Sequence, residues 1–544
     1  MISGRSIVNG ESLKTSAGAF TALNPTTGET LEPQFHNASI EDLDGAAELA
    51  AEATGSYQQT DRKERAALLR DIAAGIEAIS SEIVARAHAE TALTVVRLTG
   101  ELARTTGQLR LFAQLVEEGS WVNARIDLAE PERKPAPRPD LRSMLRPIGP
   151  VAVFGSSNFP LAFSVAGGDT ASALAAGNPV IVKGHSAHPG TSELVAWVIA
   201  NAVRERGLHP GVFALLFGSH EVGAALVRHR HIRAVGFTGS LGGGRALMDL
   251  CATRPDPIPC FTEMSSVNPV FVLNSALGEN AAGVAAGLFA SFTLGVGQFC
   301  TKPGLVFVPA NEHGDAFVAE LKQLVENATC HPMLTEGISR SYRSGINRRT
   351  SKTGVRTLAQ ASAPAGVGAC SAIPALFETS AHAFLNDPDL GAEIFGPSTL
   401  IVRFEGRAQM LALAASLEGQ LTATIHCSEQ DATYYPDLTG ILERKAGRLI
   451  VNSFPTGVEV SHAMVHGGPY PATSDGRFTS VGTLAIDRWA KPVCYQNFPQ
   501  SCLPDELRNE NPLRIMRLLN GTLTRDPVGH KPEVLHGEHV FNKL

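Results

Sequence analysis

Cys300 lies on a stretch of chain that suits a nucleophilic thiol. It follows the glycine-containing segment Gly295–Phe299 and precedes the Pro-Gly turn Pro303–Gly304. A thiol held on such a bend can attack an electrophilic carbon. Free cysteines are more often buried as small apolar side chains, so this stretch by itself leaves both alternatives open.

The cysteines of the sequence are widely spaced. None forms a CxxC pair, so we predict no metal site and no disulfide scaffold. Reduced thiols of this kind are typical of the cytosol. The eight cysteines are Cys251, Cys260, Cys300, Cys330, Cys370, Cys427, Cys494 and Cys502.

Three polar residues occupy positions where predicted strands end or where two regions meet. Asn158 and Lys183 each come shortly after an apolar strand, and Glu263 lies at the junction of two α/β regions. An amide can stabilise an oxyanion, a lysine can contact ribose or phosphate oxygens, and a buried carboxylate can act as a general base. The simpler alternatives are a helix cap, a solvated lysine and a surface carboxylate.

A glycine-rich turn at Phe237–Arg245 leads from a predicted strand into a helix. Glycines permit close backbone approach, and a helix N-terminus offers free N–H groups to phosphate. Arg245 stands where a P-loop needs Lys-Ser/Thr, and the strict GxGxxG pattern is missing. The turn is therefore either a generic phosphate site or an ordinary tight turn.

Short apolar strands alternate with helices from Gly149 onward, after a run of amphipathic helices over residues 39–119. This alternation predicts a parallel sheet covered on both faces. Ligands of such sheets bind at the carboxyl ends of the strands, where Gly155, Lys183 and Gly239 fall. A second α/β region is predicted over residues 268–460. The strands predicted for the first region are Val151–Phe154, Val180–Val182, Val212–Leu216 and Ala234–Thr238.

Length and composition limit the function classes. A chain of 544 residues has room for two or three domains. An apolar fraction of 44% is typical of a soluble enzyme, and a net charge of -7 gives no reason to expect nucleic acid or an anionic membrane as partner. Met1–Gly10 lacks the apolar run of a signal peptide, and no apolar stretch reaches the length needed to span a bilayer. We therefore expect a cytoplasmic protein.

The composition changes between Ala129 and Pro147, where repeated prolines exclude a helix. Within this segment Leu141–Arg146 is predicted to be an exposed strand. It is either part of a linker or an arm that pairs with the sheet edge of another subunit, and we favour the arm. The tail after Arg488 is rich in Pro and Asn, and we predict that it is irregular and wraps over the surface or a neighbouring subunit.

The individual motifs are weak, but their order along the chain is specific. They are Asn158–Pro160, Lys183, Phe237–Ser240, Glu263, Gly297–Cys300 and Glu393–Pro397. Together, over nearly the whole chain, they resemble the aldehyde dehydrogenase superfamily. This resemblance implies an α/β fold with two Rossmann-like parallel α/β domains, an oligomerisation arm, and a homodimer or homotetramer. The implied bounds are 1–127 and 148–264 for the dinucleotide-binding domain, 265–460 for the catalytic domain, and 128–147 and 488–544 for the arm and C-terminal tail.

The resemblance also implies a role for each motif. Cys300 would attack the aldehyde, Asn158 and the Cys300 N–H would hold the oxyanion, and Glu263 would activate the water that hydrolyses the thioester. The cofactor would be bound by Lys183, Ser186, Gly239, Ser240, Gly244, Glu393 and Phe395.

Departures from the common family pattern bear on specificity. NAD-preferring members often carry a glutamate three residues after the family lysine, but this sequence has Ser186 there. A carboxylate would repel a 2′-phosphate, whereas a serine can donate to one, so we expect NADP, with NAD as a second cofactor. Ser157 stands where many members have a bulky Trp, which implies a wider or more polar substrate tunnel.

These departures, together with His466–Ser474 and Pro492–Pro499, resemble one subgroup, the bacterial 2,5-dioxopentanoate (α-ketoglutarate semialdehyde) dehydrogenases. This implies oxidation of 2,5-dioxopentanoate to 2-oxoglutarate. The same motifs resemble NADP-dependent long-chain fatty aldehyde dehydrogenases, which we keep as the alternative.

A dicarbonyl acid needs a cation for its carboxylate. Arg97, Arg104 and Arg110 share one helical stretch that borders the tunnel by the resemblance, and we select Arg104 against the alternative of a solvated arginine. His462 is either close to the site or structural.

Two other functional classes remain as alternatives to a dehydrogenase. They are a hydrolase or acyltransferase that uses Cys300 with no redox step, and a non-catalytic structural relative. Retention of the nucleophile, the base and the amide together argues against the second.

Overall fold

The computed structural model describes residues 2–362, 370–429, 431 and 435–529, so the last residues of the predicted tail, 530–544, lie outside it. Within these ranges the strands are β1 (Ile7–Val8), β2 (Glu11–Ser12), β3 (Ala19–Leu23), β4 (Thr30–His36), β5 (Arg125–Asp127), β6 (Leu141–Pro147), β7 (Val151–Phe154), β8 (Val180–Lys183), β9 (Phe213–Leu216), β10 (Ala234–Thr238), β11 (Cys260–Glu263), β12 (Val270–Val272), β13 (Leu305–Pro309), β14 (His331–Pro332), β15 (Val355–Gln360), β16 (Ser371–Ala372), β17 (Ala375–Ser380), β18 (Ser398–Phe404), β19 (Gln420–His426), β20 (Ala446–Val451), β21 (Ala490–Gln496), β22 (Arg517–Leu519) and β23 (Thr522–Thr524). The helices are α1 (Ile40–Gln59), α2 (Arg62–Ala78), α3 (Ser80–Thr91), α4 (Val95–Glu118), α5 (Gly168–Ala176), α6 (Pro189–Glu205), α7 (His220–Arg228), α8 (Leu241–Ala252), α9 (Asn274–Thr293), α10 (Glu312–Glu326), α11 (Glu336–Thr350), α12 (Ala381–Asn386), α13 (Gly406–Ser416) and α14 (Pro436–Leu442).

The first sheet has the strand order β11-β10-β7-β8-β9-β1-β2. Strands β7 to β11 are parallel, and β1 and β2 add an antiparallel edge. The central strands are apolar and buried on both faces, because helices cover both sides of the sheet. Helix α5, which follows β7, ends at Gly177 in the left-handed region at φ 94°, where glycine is the favoured residue. The predicted parallel sheet is confirmed.

The second sheet has the order β15-β17-β18-β13-β12-β19-β20. All neighbouring strands from β17 to β20 pair in parallel, and β15 is an antiparallel edge. Its core is built from aromatic and aliphatic side chains such as Phe271 and Phe307, whose rings stack with centroids 4.5 Å apart. The two-sheet α/β fold predicted from the resemblance is therefore confirmed.

The segment after β20 returns to the first sheet. Thr473 forms a β-bridge with Glu263 at the end of β11, and the amide of Met264 donates to the carbonyl of Ala472 at 2.8 Å. This return places residues of the loop 461–487 beside the end of β11. No domain was assigned to this loop from sequence.

Residues 114–147 and 490–529 form a separate compact unit in the described part of the chain. Its sheet has the order β21-β6-β5-β22-β23. The strand predicted at 141–146 occurs as β6, but the expectation that it is exposed is wrong, because β6 pairs on both sides and buries Arg142 and Met144. The prediction of an irregular tail also fails for the strands β21, β22 and β23, whose partners are distant in sequence and gave no local signal.

One helical stretch, residues 274–297, is long and apolar enough to cross a membrane by length and composition, with a mean hydropathy of 1.3. The expectation that no stretch reaches this length is therefore wrong on that criterion. Core helices of globular proteins meet the same criterion. Here Ala285, Leu288 and Phe292 pack into an apolar cluster with side chains of the second sheet, which accounts for the apolar character.

Candidate active site

The backbone before Cys300 is bent into an unusual conformation. Gly295, Val296 and Gly297 all have left-handed φ values of 56°, 60° and 64°. A β-branched residue such as valine rarely adopts this conformation, and such strain is concentrated at functional sites. A Cβ at position 297 would lie 2.3 Å from the carbonyl carbon of Gly396, so only glycine fits there. Cys300 therefore follows directly after a strained bend that requires glycine at position 297.

The thiol of Cys300 lies in a buried cluster with two titratable side chains. The Sγ atom is 3.4 Å from Nε2 of His466, and the same Nε2 is 2.9 Å from Oε1 of Glu263. The other carboxylate oxygen of Glu263 accepts a hydrogen bond from Ser480 Oγ at 2.5 Å. His466 is fully buried and Glu263 nearly so. One imidazole nitrogen thus contacts both the predicted nucleophile and the predicted base.

The pKa values of these two groups shift in opposite directions. Burial raises the pKa of the Cys300 thiol well above its ordinary value, and the negative charge of Glu263 raises it further. Burial also acts to raise the pKa of Glu263, but the neighbouring imidazole and the hydrogen bonds from His466 and Ser480 outweigh it and leave this pKa lowered. At neutral pH the resting site therefore holds a neutral thiol and an ionised carboxylate.

Asn158 lies on the loop after β7 and is buried. Its side-chain Nδ2 donates to the carbonyl of Gln298 at 3.0 Å, which ties it to the bend that carries Cys300. The main-chain carbonyl of Asn158 accepts a hydrogen bond from Nη2 of Arg97 at 2.7 Å. The side-chain amide of Asn158 carries two hydrogens and donates one to Gln298, so the other can donate to a ligand.

A large cavity of about 730 Å³ opens on one side of Cys300. Most of the predicted site residues line it, some after strands of the first sheet and others from the second α/β region. Glu393 accepts from Ser265 Oγ at 2.7 Å on its wall. The predicted residues that line it are Asn158, Gly239, Ser240, Glu263, Cys300, Glu393 and Phe395.

The other predicted cofactor residues do not line this cavity. Lys183 ends β8, next to β7 in the first sheet, and burial lowers its pKa. Ser186 is exposed three residues further on. A Cβ on Gly244 would lie 2.5 Å from Sδ of Met264, so glycine at this position lets helix α8 pack closely against the chain after β11. This close packing accounts for the glycine at position 244 without a contact to a ligand.

A second cavity of about 230 Å³ lies on the other side of Cys300. Its walls carry Arg97, Glu101 and Arg104 from α4, with the rings of Phe159, Phe163 and Phe299. The guanidinium of Arg104 lies 5.1 Å from the centre of the Phe163 ring. Its Nε and Nη2 atoms are buried and have no hydrogen-bond partner among the described residues. These two atoms form one side of the guanidinium fork, the side that binds a carboxylate in two hydrogen bonds.

Sequence analysis assigned no role to three residues of this site. His466 and Ser480 lie in the loop 461–487, and only their position next to the end of β11 shows their contact with Glu263. Arg348 on α11 lines the large cavity, and no motif pointed to it. The histidine singled out from sequence, His462, is exposed and lies 3.3 Å from Thr483 Oγ1 through its Nδ1.

The ligand atoms of Glu263, Cys300 and His466 lie within 4.8 Å of one another, which is close enough for one metal ion. A metal-bound histidine almost always donates its second ring N–H to a partner. Nδ1 of His466 is buried and has no such partner in the described part of the chain. The geometry therefore favours a hydrogen-bonded cluster over a metal site.

The fold and the site define a class of enzyme. Two α/β sheets position a cysteine between a dinucleotide-sized cavity and a smaller pocket, with a carboxylate and an amide beside the thiol. This is the arrangement expected of a thiol-dependent aldehyde oxidoreductase. The aldehyde dehydrogenase family profile matches residues 13–470, and the chain belongs to this family, whose members use NAD or NADP.

Two curated relatives are similar over nearly their full length. An alpha-ketoglutaric semialdehyde dehydrogenase 2 of Azospirillum brasilense is 49% identical over 96% of this chain and 99% of the relative. An alpha-ketoglutaric semialdehyde dehydrogenase of Acinetobacter baylyi is 48% identical over 96% of this chain and 99% of the relative. The structure of a mutant aldehyde dehydrogenase from Bacillus cereus superposes with a TM-score of 0.76 at 22% identity, covering 90% of this chain and 96% of that one. These relatives do not favour the fatty aldehyde alternative.

Proposed function

We propose that this enzyme oxidises 2,5-dioxopentanoate to 2-oxoglutarate with NADP. The observation that carries the proposal is the position of Cys300 between two cavities, one large enough for a dinucleotide and one holding the unpaired fork of Arg104. The two semialdehyde dehydrogenases described above, at 48% and 49% identity, support this substrate class.

The cofactor cavity suits a dinucleotide on chemical grounds. Gly239 and Ser240 lead into the N-terminus of α8, whose free N–H groups attract phosphate. Arg348 adds a guanidinium to the lining, and the carboxylate of Glu393 offers an acceptor for ribose hydroxyls. Phe395 would pack against the nicotinamide half, and Lys183 would reach the adenosine ribose. A bound nicotinamide supplies the hydride acceptor.

The chain's own groups would carry the remaining chemistry. The sulfur of Cys300 would form a bond to the aldehyde carbon, and the carbonyl oxygen would take the negative charge near Nδ2 of Asn158 and the Cys300 N–H. Removing one such donor costs about 3–4 kcal/mol in other enzymes. After oxidation to a thioester, Glu263 would take a proton from the attacking water, and sulfur would leave as the thiolate.

The test is reduced-cofactor formation by the purified enzyme with 2,5-dioxopentanoate and with a long-chain aldehyde, each with NADP and with NAD. We expect a clear preference in kcat/KM for the dioxo acid with NADP. A preference for the long-chain aldehyde would overturn the substrate proposal, and no reduction with either would overturn the function.

Ser186 gives a test of the cofactor proposal. Ser186→Glu places a carboxylate where a 2′-phosphate would lie, and repulsion should lower kcat/KM with NADP by about tenfold or more. With NAD, kcat/KM should change little, since its ribose hydroxyls can donate to the carboxylate. Steady-state kinetics with both cofactors measure the ratio, and Ser186→Ala is the control for loss of the hydroxyl alone. Equal losses with both cofactors would contradict the proposal.

Arg104 gives a test of the substrate proposal. Arg104→Gln removes the fork, and a hydrogen bond to a charged group contributes about 1.5–3 kcal/mol. We expect kcat/KM for 2,5-dioxopentanoate to fall by about 10- to 100-fold, mainly through KM. The kcat/KM for an uncharged aldehyde of the same length should fall much less, because it loses only the effect of the Arg104 charge on the pKa of the Cys300 thiol. Arg110→Gln is a matched control on the same helix, since Arg110 pairs with Glu77 away from the pocket. Parallel losses with both aldehydes would show a merely structural role.

We also propose the domain roles implied by the family. Residues 1–127 and 148–264 would bind the dinucleotide, and 265–460 would carry the nucleophile. Residues 128–147 and 488–544 would mediate assembly into a homodimer or homotetramer. Within the described part of the five-stranded sheet, β21 and β23 are the edge strands, and each is therefore available for pairing with another subunit. Light scattering of the purified protein tests the oligomeric state.

A further inference from the structure

We propose that His466 is a catalytic residue: its Nε2–H donates to the Glu263 carboxylate in the resting enzyme and to the Cys300 thiolate when that forms. The proposal starts from the two contacts of Nε2, 2.9 Å to the carboxylate and 3.4 Å to sulfur. It rests on the proposed nucleophile and base, and it adds a group to which sequence analysis gave no role.

The position of the proton follows from the second ring nitrogen. Nδ1 of His466 is buried and has no partner in the described ranges. A buried N–H without an acceptor is costly and rare, whereas an unpaired lone pair is tolerated better. Nε2 therefore carries a proton, which makes it a donor toward both Glu263 and Cys300.

The imidazole is also held in place from behind. The His466 amide donates to Thr479 Oγ1 at 2.8 Å, and its carbonyl accepts from the Ser480 amide at 2.9 Å. Ser480 Oγ binds Glu263 as well, so histidine and carboxylate are fixed by the same segment. A small movement of the ring is therefore enough for Nε2–H to change its acceptor from Glu263 to the sulfur of Cys300, without rearrangement of the backbone.

The charge balance of the step is simple. When Cys300 ionises, its S–H bond breaks and the proton passes to water in the cavity. The thiolate is then a charged acceptor, and hydrogen bonds to charged acceptors are the stronger ones. Nε2–H turns to sulfur without itself gaining or losing a proton, and it returns to Glu263 once sulfur is bonded to carbon.

The experiment measures alkylation of Cys300 by iodoacetamide at neutral pH, since only the thiolate reacts. It is run in the Glu263→Gln background, so that loss of the carboxylate contact cannot confuse the result. Adding His466→Phe, which keeps a ring but removes the donor, should slow alkylation by about tenfold or more. Adding His466→Gln instead, which can place an N–H near the former Nε2, should restore most of the rate. The other charged groups that act on the thiol remain unchanged in this series, namely Glu393, Arg97, Arg104 and Arg448.

His426→Phe is the matched control, because His426 is a buried histidine with an unpartnered Nε2 among the described residues and stands outside the cluster. It should alkylate at the parent rate, and thermal unfolding checks each variant. Equal rates for the His466→Phe and parent proteins, or no recovery with His466→Gln in a folded protein, would overturn the inference. Wild-type enzyme that reduces no cofactor with any aldehyde would instead overturn the proposed function, so the two failures are distinct.

Discussion

Cys300→Ala is expected to abolish reduced-cofactor formation, by about 10⁴-fold or more in kcat, because no other group can form the bond to the aldehyde carbon. In the described part of the chain, Cys300 is the cysteine that borders both cavities. The measurement is cofactor reduction at saturating aldehyde, with cofactor binding followed separately by fluorescence. We expect binding to survive, since the thiol is not needed to hold the dinucleotide.

Cys427→Ala is the matched control for this change. Cys427 is a free, buried cysteine that follows β19 in the second sheet, away from the site. Its replacement should leave kcat within about twofold while costing some stability, as removal of a buried group does. Residual turnover in Cys300→Ala above a few per cent of wild type would refute the covalent mechanism.

Sequence patterns predicted the parts of this protein that depend on local signals. The apolar strands Val151–Phe154 and Ala234–Thr238 occur as β7 and β10 with the predicted bounds, because continuous apolar runs between helices define parallel strands. The bend at Cys300 was predicted from its glycines. The motif order then predicted the family, and the family profile confirms it.

Contacts between distant segments could not be predicted in this way. His466 lies 203 residues from Glu263 and 166 from Cys300, and no periodicity links them. The selection of His462 shows this limit of sequence analysis. His462 is exposed, whereas His466, four residues further along the same irregular loop, is fully buried. The pairing of β6 on both edges likewise depends on strands far apart in the chain, such as β21.

The proposed nucleophile and the proposed base are therefore related by electrostatics that only the structure reveals. The ionised Glu263 carboxylate raises the pKa of the Cys300 thiol. It therefore lowers the fraction of thiolate, which is the form that would attack the aldehyde in the first chemical step. In the proposed mechanism the same carboxylate acts in the last step, when water attacks. Removing its charge should thus affect the two halves of the reaction in opposite directions.

Glu263→Gln is expected to show a burst of reduced cofactor of about one per active site, followed by turnover slowed about 10²- to 10⁴-fold. The burst survives because loss of the negative charge lowers the pKa of the thiol and increases the thiolate fraction at neutral pH. The slow phase follows because the proposed general base for the attacking water has been removed. Stopped-flow absorbance of the reduced cofactor resolves both phases.

Mass spectrometry of the quenched Glu263→Gln reaction should find the acyl group on Cys300. Glu378→Gln is the matched control, because Glu378 is a buried carboxylate of the second sheet, paired with Arg403 and Arg356, outside both cavities. It should keep wild-type turnover and show no trapped acyl group. Iodoacetamide should also react faster with Glu263→Gln than with wild type at neutral pH. A Glu263→Gln enzyme that loses the burst together with turnover, and alkylates no faster, would show that the carboxylate acts in the attack of the thiol rather than in hydrolysis of the thioester.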